Sequence, residues 1–153
     1  MTDRTILLVD NEPGEVERLT QQLSPFGYTV EQCTSTSAIA ERISQNNPAV
    51  LLVRVDRAPN DGEPAAIEEV SRLFKSGDNV LPTIFLADDY DLKTRLESIR
   101  VGAKAFFVRP FSPLDFVDAL DLLIEPQEEE PFRVLIVDDD ERISEFYVTV
   151  LQH

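Results

Sequence analysis

One short motif occurs twice in this chain. Ile6-Leu-Leu-Val-Asp-Asn-Glu12 returns 128 residues later as Val134-Leu-Ile-Val-Asp-Asp-Asp140. Four apolar residues running into a knot of acids have the pattern of a buried parallel strand that delivers carboxylates to the carboxyl edge of a sheet. A domain's length of chain follows the first copy, but only thirteen residues follow the second. The repeat therefore predicts one whole domain over 1–124, a linker over 125–131, and the first strand and helix of a second domain over 132–153. The copies differ at the second acidic position, Asn11 against Asp139.

Between the two motifs, strand and helix signals alternate. Ile6–Val9 is the first predicted strand. Pro13 sits at or near the start of a helix with Val16, Leu19 and Leu23 on one face, closed by Pro25 and Gly27. Tyr28–Glu31 is a short strand. Ser35 or Ser37 is placed to cap a helix carrying Ala38, Ile39 and Ile43, which stops before Pro48. Ala49–Val53 and Leu81–Leu86 are continuous apolar strands, with a turn at Ala58–Gly62 and a helix at Ala66–Phe74 between them. A helix over Leu92–Val101 closes at Gly102, Ala105–Val108 is a fifth strand, and Leu114–Ile124 is a final amphipathic helix. Five such alternations predict an α/β domain: a doubly wound, five-stranded parallel sheet with helices on both faces. About 124 residues can bury a self-sufficient core.

Charge narrows the function. The net charge is -15; residues 1–124 hold 20 acids and 12 bases, and residues 125–153 hold 9 acids and 2 bases. Such a field repels nucleic acid and anionic lipid, so neither is an expected partner of this segment. No apolar run approaches the roughly 18 residues of a membrane span, and Met1–Thr5 opens no signal peptide. The single cysteine, Cys33, rules out an internal disulfide, fits a cytoplasmic setting and reads as a surface or semi-buried thiol. The linker Glu125-Pro-Gln-Glu-Glu-Glu-Pro131 has too few apolar residues to bury much area, although its glutamates suit a partial extension of the last helix.

In an open parallel sheet, chemistry belongs beyond the carboxyl ends of the strands. The chain places Asp10, Asn11 and Glu12 there after the first strand, Arg54 after the third, Ala87 and Asp88 after the fourth, and Arg109-Pro110 after the fifth. Converging carboxylates suit Mg²⁺, which leaves Asp10 and Glu12 as weak candidate ligands. Arg54 instead brings a permanent positive charge to the same edge. Two fates are open to it: an internal ion pair with Asp10 that locks the pocket, or a side chain that reaches past the strand end to solvent.

These residues, with Pro48, Gly102-Ala103 and Arg109-Pro110-Phe111, resemble the receiver domain of two-component response regulators over 4–124, and 132–151 resembles the start of a second receiver. The resemblance implies a flavodoxin-like strand order of 2-1-3-4-5. In active receivers, two acids after the first strand hold Mg²⁺, and an Asp ending the third accepts a phosphoryl group. A Thr or Ser ends the fourth strand, and a Lys before proline follows the fifth. Here Asp10 matches the first acid and Asn11 replaces the second. Arg54 occupies the phospho-acceptor position, Ala87 replaces the hydroxyl residue, and Arg109 replaces the Lys while keeping its charge. Phe106 falls where receivers carry a switch-like aromatic.

Arg54 stays protonated and cannot attack a phosphohistidine. Asn11 weakens a Mg²⁺ site, and Ala87 donates no hydrogen bond. The resemblance therefore implies a degenerate pseudo-receiver: a non-catalytic regulatory and protein-interaction module without a cofactor. Its expected partners are proteins, through self-association or with an adjacent receiver or output domain. The surface expected for this is an apolar patch on strands four and five and the helices flanking strand five. The alternative is a phosphorylatable, Mg²⁺-dependent receiver that uses Asp56, two residues past Arg54, or the complete second domain, whose Asp138 and Asp139 retain both acids.

A chain that stops mid-motif is expected to be part of a longer tandem-receiver regulator with an output module. Its lone strand and helix must pack on the first domain, pair with another chain, or remain poorly ordered. Asp88, Asp89 and Asp91 have the look of a metal cluster, and equally of an acidic run capping the next helix. His153 has no partner set. A flavin or nucleotide binder is disfavoured, because the edge is acidic and no glycine-rich phosphate loop is present.

Overall fold

Apolar runs dictate the sheet. The computed structural model describes residues 4–55, 65–75, 81–125, 135–137 and 139–151. Its strands are β1 (Thr5–Val9), β2 (Thr29–Cys33), β3 (Val50–Arg54), β4 (Thr83–Ala87) and β5 (Ala105–Val108). All are parallel, in the order β2-β1-β3-β4-β5. The helices are α1 (Glu15–Leu23), α2 (Ile39–Asn46), α3 (Ala65–Lys75), α4 (Leu92–Arg100), α5 (Pro113–Ile124) and α6 (Glu141–Leu151). The flavodoxin-like architecture and strand order are those expected from the sequence.

Because side chains alternate along a strand, each central strand feeds two cores. Ile6, Leu8, Val50, Leu52, Ile84 and Leu86 pack with Leu19 and Leu23 of α1 and Phe116, Val117 and Leu120 of α5. Leu7, Val9, Leu51, Val53 and Phe85 pack on the opposite side with Ile39 and Ile43 of α2 and Ile67 and Val70 of α3. The register pairs Val9 with Val53 and Arg54 with Leu86. Asp10, Arg54 and Ala87 therefore emerge side by side where the strand order reverses.

Several local expectations change. Neither Ser35 nor Ser37 caps α2; its N-cap is Ala38, which supplies no side-chain acceptor. The two serine hydroxyls bond to each other at 2.7 Å. A short 3-10 turn at Thr36–Ala38 starts the helix instead. The second strand runs on to Cys33, whose thiol is buried in the core rather than at the surface. Asn47 ends α2 in the left-handed conformation (φ 44°), which Asn tolerates better than most residues.

Helix α4 turns its apolar face outward. Thr94 and Ser98 face inward, while Leu92, Leu96 and Ile99 are exposed. Thr94 bonds to Asp91, and Ser98 donates to the Thr94 carbonyl, so the buried hydroxyls are satisfied within the helix.

After the second copy of the motif, α6 spans Glu141–Leu151. Residues 135–137, the described part of the motif's expected strand, are not in a strand among the described residues, and Leu135 and Val137 are exposed. Asp56, Asp138, His153, the Ala58–Gly62 turn and residues 126–131 of the linker lie outside the described residues.

Candidate functional site

The loop after β1 turns through Pro13-Gly14, and Gly14 has φ 83°. That positive angle, readily available to glycine, lets α1 begin directly beneath the pocket. The Asp10 side chain, 1 % exposed, accepts the Glu12 amide at 2.8 Å. Gln32 donates to the Asp10 carbonyl at 3.0 Å, holding the loop to β2.

Arg54 ends β3 and turns inward, with its side chain 19 % exposed. Its Nη1 lies 3.3 Å from Asp10 Oδ1 and also bonds to Glu12; its Nη2 bonds to Asp88. Of the two fates open to Arg54, the structure adopts the internal ion pair. Arg109, 13 % exposed, follows β5 at a cis Arg109–Pro110 bond. Its Nε and Nη2 fork onto Asp88 Oδ1 at 2.8 and 2.7 Å, and Nη2 lies 3.3 Å from Glu12. On the other side, Nη1 is 2.6 Å from Glu15 Oε1. That contact is an ion pair rather than an aligned hydrogen bond.

Electrostatics follow from this packing. Burial alone would raise the Asp88 pKa, but Arg109 and then Arg54 outweigh it and hold the carboxyl below its usual value. Burial would lower the Arg109 pKa, and Glu15 and Asp88 reverse that, so the guanidinium is held charged. The Asp10 Oδ2 atom is buried without a hydrogen-bond partner among the described residues.

The predicted site residues are only partly assembled. Asp10, Glu12, Arg54 and Arg109 converge. Asn11 is exposed, and Ala87 is buried but contributes only a methyl group. Phe106 is half-buried against the core on the α2/α3 side. The Asp88–Asp91 run divides: Asp91 caps α4 through the Thr94 amide, Asp88 pairs with both arginines, and Asp89 is exposed. Asp139 is exposed in the second copy.

Glu15 and Arg18 went unnoticed in the sequence, although the repeat carried a signal. Their counterparts 128 residues on are Ile143 and Phe146, so an apolar pair in one copy stands where the other has opposite charges.

These residues do not fit Mg²⁺. Arg54 and the Glu12 amide occupy Asp10 Oδ1, and position 11 offers a neutral amide. Glu12 is committed to two guanidinium groups. Among the described residues, no group of three or more His, Cys, Asp or Glu side chains is arranged to hold a metal ion.

No family model matches the chain. It is similar to Protein RcaC of Microchaete diplosiphon, 34 % identical over 106 residues, covering 62 % of this chain and 16 % of that protein. It is also similar to Response regulator protein TmoT of Ectopseudomonas mendocina, 26 % identical over 130 residues, covering 84 % and 57 %. A response regulator receiver protein from Pseudoalteromonas atlantica superposes with a TM-score of 0.66 at 25 % identity, covering 78 % of this chain and 96 % of that one. The chain has a CheY-like receiver-domain fold. At the end of β3 in this fold, Arg54 is directed back onto Asp10. The chain spans little more than half the length, or less, of the curated relatives just described. Among the described residues, no helix is long and apolar enough to cross a membrane.

Proposed function

We propose that residues 1–124 are a pseudo-receiver: a non-catalytic regulatory and protein-interaction module of a multidomain two-component signalling protein. The observation that carries this reading is the Arg54–Asp10 ion pair at 3.3 Å, formed at the position where a receiver would be phosphorylated. A protonated guanidinium is no nucleophile, and here it also occupies the space where a divalent cation would sit. The site is an internal salt-bridge network, so its state is set by the chain and not by a phosphoryl donor. The lone cysteine suits a reducing, cytoplasmic setting.

The partner we favour is a second copy of the domain. Leu92, Leu96 and Ile99 form one exposed stripe on α4, flanked by Lys93, Arg95 and Arg100. On α5, Leu114 and Leu122 are exposed beside Asp115 and Asp118. An apolar stripe with basic flanks and a row in which Asp118 sits between Leu114 and Leu122 complement each other across a two-fold axis.

Incubation with acetyl phosphate and Mg²⁺, read by intact mass, tests the pocket. The expected result is no added phosphoryl group on residues 1–124. A stable acyl phosphate there would favour the receiver that uses Asp56. Phosphorylation confined to a complete second domain would assign the chemistry to Asp138 and Asp139 and leave the pseudo-receiver reading intact.

A further inference from the structure

Glu15 is an expensive residue in its place. Its side chain is 1 % exposed, and both carboxylate oxygens face guanidinium groups: Oε1 lies 2.6 Å from Arg109 and Oε2 lies 2.8 Å from Arg18. At the equivalent places, 128 residues on, the second copy of the motif has Ile143 and Phe146, so the motif itself does not specify this acid or its arginine partner. The first copy thus lacks an acid at Asn11 and has gained one a helical turn further on, aimed at Arg109.

Arg109 is the group that gains from this. Its guanidinium touches Glu12 in the loop after β1, Asp88 in the loop after β4, and Glu15 on α1, while its own backbone begins the loop after β5. Glu12 and Asp88 are partly exposed and screened by water, but Glu15 is not. Of the three acids, only Glu15 holds Arg109 from within.

We infer that Glu15 is a positioning residue: it fixes Arg109 across the pocket so that three loops remain closed without phosphate or metal. The inference rests on the locked-pocket reading and names the acid that maintains the lock. Arg18 belongs to the same arrangement, because it neutralises the second Glu15 oxygen that the sister copy never needs to bury.

Hydrogen exchange on the full chain tests it, with Glu15→Ile, the residue of the sister copy, and Glu15→Gln, which keeps the shape without the charge. Losing a charge-assisted contact should speed amide exchange in 88–91 and 109–112 by about tenfold or more in both variants, with β1 and β4 amides little changed. In an Arg109→Leu background, adding Glu15→Ile should change exchange in 88–91 by less than about twofold, since the contact is already gone. Unchanged loop exchange would overturn the inference, as would loop exchange that rises only in step with β1 and β4. A phosphorylated wild-type domain would instead refute the locked pocket itself, whatever the Glu15 variants do.

Discussion

Replacing Arg54 with alanine is the most direct probe of the pocket. Asp10 is left 1 % exposed with one partner, the Glu12 amide, and with Oδ2 already lacking a hydrogen bond among the described residues. Removing one member of a buried ion pair costs roughly 3–5 kcal/mol. The low end applies, because the Arg54 side chain is 19 % exposed and water can enter the space it leaves. Glu12 and Asp88 lose a partner as well, but they are exposed enough to add about 1 kcal/mol or less between them. A loss of about 3 kcal/mol in a domain of this size lowers Tm by roughly 10 °C. Thermal and urea unfolding followed by circular dichroism at pH 7 would measure it. Asp10→Asn in the Arg54→Ala background removes the stranded charge and should restore about half of the loss. A Tm within 2 °C or so of wild type for Arg54→Ala, or no rescue by Asp10→Asn, would show that the pair is not a buried one and refute the reasoning.

Three further outcomes follow from the same geometry. Asp88 titrates below its usual value when folded, so its contribution is complete above the unfolded pKa of about 3.9 and disappears as pH falls through the lower folded value. The Tm difference between wild type and Asp88→Asn should accordingly be flat from pH 7 to 5 and close below about pH 4. Leu96→Asp places an acid on the exposed α4 stripe and should weaken self-association by tenfold or more in sedimentation velocity, on the order of 1–3 kcal/mol, with little effect on Tm. Placing acids at positions 11 and 54 together, Asn11→Asp with Arg54→Asp, should give Mg²⁺ binding detectable by calorimetry, whereas Asn11→Asp alone should give none, because Arg54 would still fill the site.

The sheet could be read from the sequence because its signal is strong and local. Leu51, Leu52 and Val53 form a short continuous apolar run bounded by Pro48 and Arg54, which fits a fully buried strand, and the acids after Val9 mark the carboxyl end of β1. Arg54 and Arg109 were visible as charges at strand ends for the same reason. Glu15 was not, because a glutamate in the first turn of an amphipathic helix normally faces water and favours the helix dipole. Only its tertiary neighbour, Arg109, 94 residues away, makes burial tolerable. The α4 helix shows a different limit of the same signal. Leu92, Leu96 and Ile99 have core spacing, yet Thr94 and Ser98 are buried because each hydroxyl finds a local acceptor. Hydrophobic periodicity identifies an apolar face, but not whether that face meets the sheet or a partner.

The charges at the pocket follow one rule that neither motif copy reveals alone. The acids expected at positions 11 and 54 are missing, and two others, Glu15 and Asp88, face the same space. A divalent ion would bring two positive charges that can leave; Arg54 and Arg109 bring two that cannot. Cation and phosphate binding are reversible, and a receiver signals by that reversibility, whereas a tethered guanidinium holds a single arrangement for as long as the domain is folded. If the domain still transmits information, the ligand that shifts its state must act elsewhere. The exposed α4 and α5 ridges are the surfaces placed to receive it. Binding there can couple to the pocket only through elements that join the two, and one is short: Asp88, held by both arginines, lies three residues before Asp91, which caps α4. A partner that reoriented α4 would have to draw Asp88 away from Arg54 and Arg109, and the strength of that network therefore limits how far binding at α4 can be felt.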